Sequence, residues 1–453
     1  MQKYLLYIEE YNTTRYNRRK FEHNMQKYLL GGVGVEREIK RDYYLEQLII
    51  RKHNGLIKIV TGIRRCGKSY LLRTLFKKHL IESGIDESHI IEMAFDLFEN
   101  KPYRDPNVFY PWATEQIKDD EKYYFLLDEV QMLDEFVSVL NGLADRKNCD
   151  VYVTGSNAKF LSRDISTEFG GRGDEVHMFP LSFSEFMTVY DGHRYDGWNE
   201  YVTYGGIPIV ALASTEEQKM KLLDNLLKET YIKDIVVRHK IRNVGEMEAL
   251  LDFLASAIGA LTNPHKLQKT FKSVNQSKIT ATTITKYIEY LKDAFMVEEA
   301  NRYDIKGKSY IGTPQKYYFM DMGLRNARIN YRQQEVTHSM ENVIYNELRM
   351  RGFMVDVGNL QVLEKGKNGK QVRKQLEVDF ICKKGSKRYY IQSAYMLPTE
   401  EKMAQEIRPF LKINDSFKKI VITSNTPKPF YDENGILTMS VFDFLLNPES
   451  LEV

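Results

Sequence analysis

Between residues 56 and 180, short apolar runs alternate with stretches whose apolar positions recur at helical spacing. The runs are Leu56-Ile57-Lys58-Ile59-Val60, Ile90 to Phe95, Tyr123 to Leu127, Val151 to Thr154 and Val176 to Phe179. Such runs, bounded by turn residues, are strands buried on both faces, and helical links between them make the strands parallel. Leu71, Leu72, Leu75, Phe76 and Leu80 give the helix after the first run. Tyr44, Leu45, Leu48 and Ile49 give one before it, stopped by Asn54-Gly55. The expectation for 38–190 is an α/β core on a parallel sheet.

Past that point the period changes. Residues 191–245 read as a helical connection, with Leu222, Leu223, Leu226 and Leu227 on one face. Residues 246–330 look like a winged helix. Leu250, Leu251, Phe253, Leu254 and Ile258 mark one helix, Leu267, Phe271 and Val274 a second, and Ile284, Tyr287, Ile288 and Leu291 a third capped at Thr280. Met296 to Glu299 and Lys316 to Phe319 would form the wing. Residues 335–453 return to strands at Leu376–Ile381, Arg388–Gln392 and Lys419–Thr423. Residues 1–37 form an extension in which Met-Gln-Lys-Tyr-Leu-Leu occurs twice, from Met1 and from Met25, before the linker Gly31-Gly32-Val33-Gly34.

Composition narrows this only in part. A chain of 453 residues, 43% hydrophobic and 28% charged, suits two to four globular domains. No run of 18 apolar residues is present, and Lys3, Glu9 and Glu10 interrupt any signal-peptide core. Cys66, Cys149 and Cys382 are far apart, which argues against zinc or a disulfide framework and for the cytoplasm. Net charge is only +3, so a nucleic-acid contact has to come from a local patch.

The chemistry begins where the first strand ends. Gly62-Ile63-Arg64-Arg65-Cys66-Gly67-Lys68-Ser69 fits G-x-x-x-x-G-K-[ST], with a strand before it and a helix, starting near Tyr70, after it. The two glycines let backbone N–H groups approach phosphates, and the helix N-terminus adds its dipole. Lys68 would reach the β- and γ-phosphates of ATP, and Ser69 would ligate Mg²⁺. The third strand ends in Asp128-Glu129: the aspartate is placed to hold the Mg²⁺, the glutamate to orient or deprotonate water. The fourth ends in Gly155-Ser156-Asn157, where Asn157 or Ser156 would contact the γ-phosphate or cap a helix. Arg163 and Arg172 precede the fifth strand, and Arg172 is the candidate finger for a neighbour's phosphate in a homo-oligomer.

These motifs together resemble a family of prokaryotic AAA-type ATPases that carry a C-terminal domain of unknown function. Supporting them are Leu127-Asp128-Glu129-Val130-Gln131, Phe179-Pro180-Leu181-Ser182-Phe183, Tyr204-Gly205-Gly206-Ile207-Pro208, Met320-Asp321-Met322-Gly323-Leu324 and Glu377-Val378-Asp379-Phe380. The resemblance runs from about residue 38 to the end. It implies a P-loop sheet, a lid-like connection at 205–208, and ATP with Mg²⁺ as ligands.

Two modules follow the core. The winged helix would offer DNA its third helix, with Lys286 and Lys278, and a wing with Arg302, Lys306, Lys308 and Lys316, or serve as a protein contact. Residues 335–453 resemble a restriction-endonuclease-like fold, with Glu341 and Asp379 at its first two metal positions. Gln392-Ser393-Ala394 stands where E-x-K belongs, so one carboxylate and the lysine are missing and nuclease activity is not expected. Lys383, Lys384, Lys387 and Arg388 add a basic edge. The expected function is a Mg²⁺-dependent ATPase whose hydrolysis drives or gates the C-terminal modules. The alternatives are a nucleotide-controlled switch with slow turnover and an ATP-linked nuclease.

Overall fold

Four of the apolar runs become strands because each is buried along its length, while the fifth strand starts before its run, at Gly173, and is half-exposed. Ile57–Thr61 (β1) and Tyr123–Asp128 (β3) have no exposed position, and Ile90–Ala94 (β2) and Cys149–Thr154 (β4) are nearly as enclosed. Gly173–His177 (β5) completes a parallel sheet in the order β2-β3-β4-β1-β5. The structure is a computed structural model describing residues 38–155, 169, 171–274, 277–332, 335–365 and 371–452. The chain divides into two units, Met1–Lys40 and Arg41–Val453. Only residues 38–40 of the first are described, so the repeated hexapeptide lies outside the described residues. Every described strand and helix belongs to the second unit.

One face of the sheet packs Ile57, Ile59, Phe125, Leu127, Val151 and Val153 against Phe109, Phe136, Leu140 and Leu143 from helices Pro106–Glu115 and Phe136–Ala144. The other receives the helical stretch after the glycine loop, which runs through Lys68–Tyr70, a π-helical Leu71–Phe76 and Lys77–Glu82. Phe76 meets Tyr152 there at 4.5 Å between ring centres. Helix α1 (Asp42–Ile49) buries Tyr44 and Leu48.

The helical connection is joined to the rest by interlocked turns. Asp321 is buried and accepts N–H bonds from Gly206 (2.7 Å) and Leu324 (3.1 Å). A side chain at Gly205, whose φ is +78°, would put its Cβ 2.2 Å from Asp321. One at Gly206 would lie 2.3 Å from the Leu181 carbonyl oxygen. The glycines are therefore required by close approach, and Asp321 satisfies the backbone they expose.

Three helices follow: α2 (Val244–Ser256), α3 (Pro264–Val274) and α4 (Ala281–Asp293), the last capped by the Thr280 side chain. The hairpin of β6 (Val297–Asp304) and β7 (Ser309–Phe319) comes next. The sequence places it in a separate module ending near 330. In the structure β6 pairs in parallel with β8 (Met354–Lys365), from Arg302↔Val357 to Asp304↔Asn359. The hairpin thus joins an eight-stranded sheet, β12-β13-β11-β10-β9-β8-β6-β7. Its other strands are β9 (Gln371–Lys384), β10 (Lys387–Ala394), β11 (Lys418–Thr423), β12 (Phe430–Tyr431) and β13 (Leu437–Ser440). Helix α5 (Val336–Met350) packs on this sheet, its Tyr345 ring stacked on Tyr318 at 4.1 Å. A single sheet crosses the expected boundary because β6 has an edge that β8 can satisfy. Among the described residues, no helix is long and apolar enough to cross a membrane.

Candidate functional site

The glycine loop sits at the C-terminal end of β1, held by its own conformation and by neighbours distant in sequence. Gly62 and Gly67 have φ of +139° and +105°. A Cβ at Gly62 would come within 2.1 Å of the Met178 carbonyl oxygen, so the position admits only glycine. Ile63 and Cys66 are buried, while Arg65 and Ser69 are exposed. Lys68 is 5% exposed and turns back on the loop, donating to the Gly62 carbonyl at 2.8 Å and the Ile63 carbonyl at 3.0 Å. Those carbonyls hold the ammonium where a phosphate could replace them.

Strand order brings the second half of the site alongside. β4 lies between β1 and β3, with Val60 beside Thr154 and Leu127 beside Val153, so the strand ends converge on one rim. Ser69 Oγ donates to Asp128 Oδ1 at 2.9 Å. The Thr154 hydroxyl also donates to Asp128 Oδ1 and accepts the Glu129 N–H at 3.0 Å. Burial pushes the Asp128 carboxyl up, against the hydrogen bonds from Thr154 and Ser69. Glu129 adopts φ +52° and accepts from Gln131 Nε2. A hydroxyl and a carboxylate within hydrogen-bond reach form the hard-oxygen pair that Mg²⁺ takes.

The sequence reading missed Thr154, Arg41, Tyr231 and Asp234. Arg41 donates to the Cys66 carbonyl at 3.2 Å and the Phe179 carbonyl at 2.7 Å, and pairs with Glu185 at 3.1 Å. It thereby fastens the loop to the segment after β5. Tyr231 Oη donates to the Arg64 carbonyl at 2.7 Å, and Asp234 pairs with the Arg64 guanidinium at 3.1 Å. The helical connection therefore rests directly on the glycine loop. The sequence signals for them were an arginine just before the expected first helix, a polar end to a buried strand, and the run Tyr231-Ile232-Lys233-Asp234-Ile235.

Among the remaining candidates the structure overturns the expectation for two, Arg302 and Lys316. Arg172 precedes β5 at Gly173, whose partner is Ile57, the first residue of β1, so it stands at the end of the sheet opposite the glycine loop. It pairs with Asp145 at 2.6 Å and cannot reach its own loop's phosphates. Ser156, Asn157 and Arg163 lie outside the described residues. Arg302 and Lys316, expected on an exposed wing, are only 6% and 3% exposed. Arg302 turns inward because β6 pairs with β8, and donates to Asn359 at 2.8 Å.

Lys316 enters the C-terminal carboxylate cluster. Its Nζ lies 2.8 Å from Glu341, 2.8 Å from Glu377 and 3.8 Å from Asp379. Tyr318 Oη donates to Glu341 at 2.7 Å, and Ser393 N–H to Asp379 at 2.8 Å. Burial alone would raise Glu341, but the ammonium and hydrogen bonds from His338, Lys316 and Tyr318 outweigh it and hold the carboxyl at about 2. Asp379 moves the other way, raised by burial and by the Glu341 charge. The ammonium among these carboxylates thus comes from β7.

Comparison with known proteins supports the core. Residues 54–187 match the family model of an AAA domain, and residues 195–335 that of a domain of unknown function (DUF8612). An uncharacterized protein of Haemophilus influenzae is 33% identical over 417 residues, spanning 90% of this chain and 98% of that protein. The uncharacterized protein MJ1544 of Methanocaldococcus jannaschii is 29% identical over 409 residues, spanning 85% of each. Among solved structures, a Walker-type ATPase of Pyrococcus abyssi aligns with a TM-score of 0.47 at 14% identity, over 65% of this chain and 97% of that one.

Proposed function

Because the chain belongs to one family with the Haemophilus influenzae protein and carries an AAA-type P-loop domain, we propose that it is a Mg²⁺-dependent ATPase. The observation that carries the reading is the convergence of Ser69, Asp128 and Thr154 beside the Lys68 loop. Residues Gly62 to Tyr70 cradle the phosphates of ATP, and Lys68 exchanges two loop carbonyls for the β- and γ-phosphates. Ser69 and Asp128 hold Mg²⁺, which when bound neutralises charge on the transferring phosphoryl group. Glu129 orients and deprotonates the attacking water. Asn157 senses the γ-phosphate, and Arg172, facing away from its own loop, acts on a neighbouring copy or not at all.

The helical connection gives the reading its output. Tyr231 and Asp234 touch the loop at Arg64, so nucleotide occupancy alters the contact that supports the modules beyond. The same contact favours slow, gated turnover as the second reading. We read α2–α4 with the β6–β7 hairpin as a winged helix for DNA, and residues 335–453 as a restriction-endonuclease-like fold. In that fold Lys316 neutralises the carboxylates and locks the hairpin in place, so the module binds rather than cuts.

The test is phosphate release by purified protein. Lys68→Ala should abolish it, and Glu129→Gln should retain ATP while releasing phosphate at least about 100-fold more slowly. Equal release by Glu129→Gln and the unmodified protein would overturn the assignment.

A further inference from the structure

From residue 253 to residue 288 the chain has five lysines and no aspartate or glutamate, a net +5 against +3 for the whole chain. The structure gathers these lysines on the outside of one helix pair. Helix α3 turns Leu267 and Phe271 into the core, and Lys266, Lys269 and Lys272 are exposed, with His265 beside them. His265, Lys269 and Lys272 stand at i, i+4 and i+7, one stripe of the helix. Lys278 is exposed ahead of α4, and Lys286 on it. Ile284, Tyr287, Ile288 and Leu291 hold α4 to the core, leaving Thr282, Thr285 and Lys286 outward.

Among the described residues none of these five ammonium groups has an ion-pair partner. Other lysines do. On the basic edge of the C-terminal sheet, Lys387 pairs with Glu452 at 2.5 Å and Lys383 with Asp356 at 3.6 Å, while Lys384 donates to the Arg351 carbonyl at 2.6 Å. Lys292, at the far end of α4, pairs with Glu289 and Glu299 at 3.0 Å. Within this helix pair the unpaired charges fall on α3, the link and the first turns of α4.

We propose that this face binds the phosphate backbone of double-stranded DNA, with α3 across the backbone and the N-terminal turns of α4 in the major groove. The inference rests on the winged-helix reading above but moves the contact from the wing, whose Arg302 and Lys316 are buried, to the helix pair. Two helices with the first basic and the second short-polar at its start fit that docking, because the first crosses phosphates while the second reaches base edges. Thr282 and Thr285 are side chains that can bond either. A groove about 12 Å wide admits one helix.

Binding is measured by fluorescence anisotropy of a labelled mixed-sequence DNA duplex with full-length protein at rising KCl, without nucleotide. Five phosphate contacts predict a slope of log affinity against log salt near about −4.5, hence about a 500-fold loss between 50 and 200 mM. The variant K266Q/K269Q/K272Q should lower the slope to about −1.8, and K306Q/K308Q on the hairpin turn should leave it unchanged. All five residues are exposed, so ATP turnover without DNA should match the unmodified protein and report correct folding. The inference is overturned if ATP-hydrolysing protein binds no duplex at 50 mM, if the triple variant keeps the full slope, or if a single strand of equal length binds more tightly. None of these results touches the ATPase reading, which fails only in the phosphate-release assay.

Discussion

Replacing Lys316 by Met removes the ammonium shared by the C-terminal carboxylates while keeping the length of its apolar stem. Its Nζ lies 2.8 Å from Glu341, which is as enclosed as the lysine. At an effective dielectric of about 20, that separation corresponds to about 6 kcal/mol of gross attraction, most of it offset by the cost of dehydrating both groups. Glu377 is about one-third exposed and adds less. Removing one member leaves Glu341 charged and buried, so the expected loss is about 3–5 kcal/mol at pH 8. The pH dependence is the sharper readout. In the unmodified protein Glu341 sits at about 2, below its unfolded value, so its contribution is present above about pH 4.5 and fades only as pH falls toward 2. Without the ammonium, burial raises Glu341 above its unfolded value, and stability is then lost as pH rises through the new value. The difference between the two proteins should therefore be large at pH 8 and small near pH 5. Urea unfolding followed by intrinsic fluorescence at the two pH values measures it. A loss under about 1 kcal/mol, or one equal at both pH values, would refute the claim that Lys316 neutralises this cluster.

Two further outcomes follow from the site and its surroundings. Thr154→Val deletes the hydroxyl that joins Asp128 to the Glu129 N–H, and should cut ATP turnover about 10–100-fold and raise the Mg²⁺ needed for half-maximal rate. Thr154→Ser should restore both, and a steady-state Mg²⁺ titration distinguishes this from a folding defect. His177 lies partly buried against Phe295 at 4.7 Å, and loss of water around the ring lowers its imidazole to about 4 despite the nearby Glu298 charge. A lowered histidine stabilises the fold above its unfolded pKa and loses that contribution as pH falls, here by about 3 kcal/mol between pH 6.5 and 4. His177→Phe should flatten that part of the pH–stability curve, and an unchanged slope in thermal unfolding would count against a neutral imidazole.

Local pattern was enough for the ATPase core. The strands from Ile57 to Thr154 were legible because a strand buried on both faces is apolar throughout. Gly62 to Ser69 was legible because the backbone approaches that loop so closely that only certain residues fit. The helix faces of α2 to α4 were legible by the same logic of period and cap. What chain order could not convey was adjacency. Arg172 and the glycine loop are separated by the length of β5 because the strand runs parallel to β1, and no local spacing encodes which end a loop occupies. Lys316 reaches Asp379 across 63 positions of sequence, and Arg302 is drawn inward by pairing with β8. Thr154 becomes the link between Asp128 and Glu129 only because β4 is laid next to β3. Periodicity is a property of each segment and survives in the sequence. Sheet order, register and the neutralisation of buried charge depend on partners tens to hundreds of residues away, and those were decided when the chain closed its core.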